Sequence, residues 1–75
     1  MNQELKQALE KYIGRLIVVF YYQQGHPEAV VAQLKEVNDE SILLDGFYPI
    51  PYGGIQKIVV EEEVLYQKDE RGAFI

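Results

Sequence analysis

The chain has 75 residues, which leaves room for one domain and a small core. It has no cysteine, so disulfides and thiolate chemistry are excluded, and 48% hydrophobic against 25% charged residues is the balance of a folded chain rather than a disordered one. Twelve acids against seven bases give a net charge of −5, with five of the acids and two of the bases in residues 61–75, so even residues 1–60 are not basic; affinity driven by nucleic-acid phosphates or by an anionic membrane surface is disfavoured.

Leu5, Ala8, Leu9, Tyr12 and Ile13 form one apolar stripe at the helical period, which predicts a helix over 2–13. Asn2 suits the N-cap, Glu4 the first turn, Lys11 the last and Gly14 the C′ position. Residues 15–23 are β-branched and aromatic and read as a strand. That strand is apolar on both faces, so it is either covered on both sides or presents one face to a partner. A turn at Gln24-Gly25-His26-Pro27 precedes a second strand over 28–37, where helix is the alternative because Glu, Ala, Gln, Leu and Lys also favour it.

Asn38-Asp39-Glu40 is a polar turn, Ser41–Asp45 a short third strand, and Asp45-Gly46 a hairpin signal. Residues 47–52 are extended, and Pro49 and Pro51 confine them to an edge or a bend. Gly53-Gly54-Ile55 allows one 3₁₀ turn, and Gln56–Val60 is a fifth strand. Residues 61–75 are set apart from a domain of residues 1–60 as an acidic extension, in which Val64–Tyr66 either adds a sixth strand or packs across the body. The terminal Phe74-Ile75 are candidates to dock on a partner chain. Short strands with turns at this spacing predict a small barrel or sandwich.

Three stretches carry a family resemblance. Tyr12-Ile13-Gly14-Arg15-Leu16-Ile17-Val18-Val19 resembles the opening of Sm-like proteins, in which a glycine and a charged residue precede the first strand. Residues 34–45 resemble their bent second strand, polar turn and third strand, and residues 50–58 resemble the closing segment. A helix, five short strands and a 3₁₀ turn before the last is the Sm-like order. The resemblance implies a mainly β fold, an N-terminal α-helix followed by a five-stranded Sm-like (SH3-like) small barrel, with the helix capping one end through Leu5, Leu9, Tyr12 and Ile13. It also implies a ring in which the fourth strand of one subunit pairs with the fifth of the next, a pairing that Pro49 and Pro51 weaken.

Two branches of the family share this look, the Hfq-like RNA chaperones and the YolD-like domains. The chaperones' tyrosine–lysine–histidine signature before the last strand is matched here only by Tyr52, because Gly53 and Gly54 hold the two cationic positions. The Ile50–Ile55 stretch looks closer to the YolD-like pattern. The glycine that bends the family's second strand is absent, Val31, Ala32 and Gln33 occupying that region.

Little in the chain points to catalysis. His26 is the sole histidine and sits in a Gly-His-Pro turn. Ser41 is the sole serine, outside any nucleophile-elbow setting, and Gly53-Gly54 lacks the lysine and helix of a phosphate loop. Glu61–Glu63 with Asp69 and Glu70 match no calcium loop and read as a solvated acidic face. No enzyme activity, metal or cofactor is expected.

Six tyrosines and three phenylalanines are the enriched class. Some fill the core; the candidates for contact with a partner are Tyr21, Tyr22, Tyr48 and Tyr52, with Lys57 added if the partner is RNA. The expected partner is a second copy of the chain or another protein, with RNA, disfavoured by charge, as the rival. The longest apolar run, Leu16–Tyr22, is too short to span a bilayer, and the polar opening residues predict a cytoplasmic protein without a membrane partner.

Overall fold

The computed structural model describes residues 2–68. Helix α1 (Asn2–Glu10) is followed by strands β1 (Leu16–Gln23), β2 (His26–Val37), β3 (Ser41–Leu44) and β4 (Ile50–Pro51), a 3₁₀ turn (Tyr52–Gly54), then β5 (Ile55–Val60) and β6 (Glu63–Gln67). All neighbouring strands pair antiparallel in one sheet of order β4-β3-β2-β1-β5-β6.

The helix ends three residues earlier than its stripe suggests. Tyr12 N–H donates to the Leu9 carbonyl and Arg15 N–H to that of Tyr12, two tight turns in place of helical bonds. Gly14, at φ +93°, then swings the chain out, and its N–H donates to Leu34 O in β2. Leu5 and Leu9 are buried as the stripe requires, whereas Ile13, beyond the end of the helix, is half-exposed and caps nothing.

β2 is a strand throughout, longer than expected because the turn before it needs only Gln24 and Gly25. Their φ values of +52° and +80° are those of a type I′ hairpin, and His26 and Pro27 already pair with Gln23 and Tyr22. Pro27 fits because β3 reaches only Leu34–Val37 on the other side of β2, so the missing N–H leaves no ladder bond unmade. The bend of β2 uses no glycine: the register with β3 shifts between Leu34 and Glu36, so Lys35 is the extra residue of a bulge. That bulge lets one strand serve both halves of the sheet. The buried residues of the strands then join Leu5 and Leu9 in a single cluster, with Leu34, Ile42, Ile55 and Ile58 fully enclosed.

Two expectations need correction. The sheet has six strands, not five, and it is not closed into a barrel: β4 and β6 are its outer members and no ladder joins them among the described residues. β4 has only two residues, because Pro49 and Pro51 lack N–H donors. β6 arises from a two-residue turn at Glu61 and Glu62, both at positive φ (+52° and +70°), which folds Glu63–Gln67 back along β5. Residues 61–67 therefore continue the sheet. Phe74 and Ile75 lie outside the described residues.

Candidate interaction site

β1 alternates strictly: Ile17, Val19 and Tyr21 point into the core, and Leu16, Phe20 and Tyr22 point out. Adjacent tyrosines thus part company. Tyr21 is only 7% exposed and its ring meets Phe47 edge-on at 6.0 Å; burial, then the nearby Glu28 carboxylate and Tyr48, raise its pKa. Tyr22 is half-exposed at the strand's end.

Tyr48 joins this group from the loop between β3 and β4. The loop turns at Asp45-Gly46, where Phe47 N–H donates to Leu44 O, but it runs on to Pro49 because β4 is so short. Phe47 tucks in against Tyr21, and Tyr48 stacks on Phe47 with ring centroids 4.8 Å apart. The Gln23 side-chain amide donates to the Tyr48 hydroxyl at 3.2 Å. The Tyr48 ring is therefore held on two sides while 60% of the residue stays open.

Between Tyr22 and Tyr48 lies a hollow of about 170 Å³ whose wall is completed by Tyr21, Pro49 and Pro51. A second, shallower hollow of about 400 Å³ lies on the other side of Tyr48, walled by Lys35, Leu43 and Phe47. Tyr48 is the ridge between them. Rigid tyrosine rings beside proline, with no charged group in the smaller hollow, suit an apolar or proline-bearing segment of another protein.

The other two candidate residues lie elsewhere. Tyr52 is 4% exposed, and its hydroxyl donates to the Asn38 carbonyl oxygen at 2.6 Å. Burial is the main reason its pKa is pushed up to about 12, with the Asp39 and Glu10 carboxylates adding to it. Tyr52 joins the 3₁₀ turn to the Asn38–Ser41 hairpin and offers no ring to a ligand. Lys57 sits on the outer face of β5, its ammonium 5.4 Å from the centre of the Phe20 ring.

Lys35, Lys57 and Arg15, the cations an RNA surface would gather, do not share a hollow: Lys35 borders the larger one, Lys57 covers Phe20, and Arg15 pairs with Glu61. Phe47 and Gln23 are the positioning residues that sequence reasoning passed over. An aromatic directly after an Asp-Gly turn was the signal for Phe47; nothing in the sequence marks Gln23.

His26 is exposed in the first hairpin. Among the described residues no three His, Asp or Glu side chains gather as metal ligands would, and no helix is long and apolar enough to cross a membrane. Comparison of the chain with models of protein families, with curated proteins and with solved structures finds no match to any of them.

Proposed function

We propose that this chain is a non-enzymatic interaction module with an Sm-like (SH3-like) small-barrel ancestry, binding another protein at the hollow between Tyr22 and Tyr48. The observation that carries the reading is the fixed Tyr48 ring, stacked on Phe47 and hydrogen-bonded by Gln23, standing open beside an uncharged wall of tyrosine and proline. Interfaces favour such rings because they supply contact area at little conformational cost. The Sm-like ancestry draws support from the element order and from the long second strand that bends to serve both halves of the sheet.

The rival reading, an RNA-binding ring, has one observation in its favour: Lys35 borders the larger hollow beside the Tyr48 ridge. Against it stand the enclosed Tyr52, the net charge of −5 and the occupied edge of β5. A ring of the Sm type needs β5 to receive a neighbour's β4, and here β6 holds that edge within the same chain.

The deciding experiment places a photo-crosslinking residue at position 48 of the full chain in cells, with position 11 as control. Adducts specific to position 48 that protease degrades and ribonuclease leaves intact are the expected result. Adducts shortened by ribonuclease would overturn the reading in favour of RNA.

A further inference from the structure

The outer face of the sheet carries a second surface, separate from the Tyr48 ridge. Strand register sets Val31, Val18, Val59 and Val64 in one row across β2, β1, β5 and β6. Leu16 flanks this row on one side, and Phe20 with Ala29 on the other. The core lies on the opposite face of these strands, with Leu5 and Leu9 of α1 packed into it. Leu16 is 66% exposed, Val31 65% and Val64 51%. The apolar surface left open here is on the order of 500 Å², in the upper part of the range for the largest patch on a monomer. It amounts to about a tenth of the 5031 Å² total.

We propose that this face is the contact surface of a symmetric homodimer, in which two copies stack sheet on sheet about a two-fold axis. Charge selects the occupant. Glu36 faces outward only beyond the bulge at Lys35, where β2 pairs with β3. Among the described residues no acid falls on the outward positions of β1, β5, β6 or residues 27–33 of β2, although the chain carries −5 overall. Those positions hold instead the apolar residues, Pro27, Tyr22, Gln33, Gln67 and Lys57, whose ammonium lies over Phe20. At the border Arg15 holds Glu61. Two copies can therefore meet around this row without the repulsion their net charge would cause elsewhere, and a basic partner finds no acid there among the described residues to pair with.

Area agrees with this occupant. Two such faces stacked cover on the order of 1,000 Å², close to the lower bound for a specific interface. That predicts a dimer in the micromolar range rather than an obligate one. An isologous contact also needs only one surface, which this face supplies.

Sedimentation equilibrium on the full chain across micromolar concentrations tests the proposal. The mass should rise from 8.7 kDa towards twice that value. Val31→Glu and Leu16→Glu should each weaken association at least about ten-fold, because each would bury unpaired like charges, one from each copy, in an apolar contact. Tyr48→Ala should leave association unchanged, which separates this face from the partner hollow. A chain that stays monomeric throughout, or an assembly that both charge variants leave intact, would overturn the proposal. If the variants fail to fold, the valine methyl resonances of the unmodified chain decide: shifts with concentration at Val18, Val31, Val59 and Val64 support the dimer, and a rising mass without them contradicts it.

Discussion

Tyr52 shows how one side chain can be read wrongly from its neighbours in sequence. Flanked by Pro51 and Gly53, it looks like a loop aromatic open to a partner. In the fold it is a structural strut, its ring in the core and its hydroxyl spent on Asn38 O. Tyr52→Phe should cost about 1 kcal/mol, measured by chemical denaturation at neutral pH, because the carbonyl loses its partner. The same side chain gives an alkaline signature. The folded state keeps the phenol protonated up to about pH 12, while the unfolded chain releases the proton near the ordinary value of 10. The contribution is therefore complete below pH 10 and is lost as pH climbs from there through about 12. Tyr52→Phe should flatten the stability profile in that window; an unchanged slope would assign the alkaline loss to other groups.

Tyr21 and Tyr22, by contrast, were separable in principle from strand parity, since Ile17 and Val19 already mark the inward positions. Tyr48 was not, because its place depends on a loop whose path is set by the length of β4.

At the scale of elements, most of the chain was legible because local signals agreed. The helical stripe, the β-branched runs and the Gly and Pro turns place all of the first five strands, with ends moved by a few residues. Two features escaped. The bend of β2 is made by a bulge at Lys35, a residue with no special backbone preference, so only the register with β3 reveals it. The turn before β6 uses Glu61 and Glu62, where asparagine and glycine would be the usual signal. Glutamate in the left-handed region is strained by roughly 1 kcal/mol. Glu62→Gly should therefore stabilise the chain by up to about 1 kcal/mol, raising the melting temperature by roughly 4–8 °C for a domain of this size. A variant that melts lower would show that Glu62 makes a contact worth more than its strain. Gly25 carries the matching load in the first hairpin at φ +80°, and Gly25→Ala should destabilise by about 1 kcal/mol in the same melting assay.

For the whole molecule, one cluster of buried residues means that stability is shared. Leu34 is fully enclosed where β1, β2 and β3 meet, and Leu34→Ala should remove about 2–5 kcal/mol. That is comparable with the entire stability of so small a domain, so circular dichroism should report a largely unfolded chain at 37 °C. The both-faces apolar character of β1 was visible from the start, and the fold resolves it: one face is core and the other is open. Composition could not show that the described acids keep clear of the Val31–Val18–Val59–Val64 row on that open face, because it requires the strand register.

On the proposed function, this chain contacts proteins and keeps the edge of β5 for its own β6. Size-exclusion chromatography with light scattering, recording absorbance at 260 and 280 nm on protein purified without nuclease, tests this most directly. A particle no larger than twice 8.7 kDa with a protein-like absorbance ratio is the expected result. A ring-sized particle carrying nucleic acid would contradict it, since β6 would then have yielded its place to a neighbour's strand.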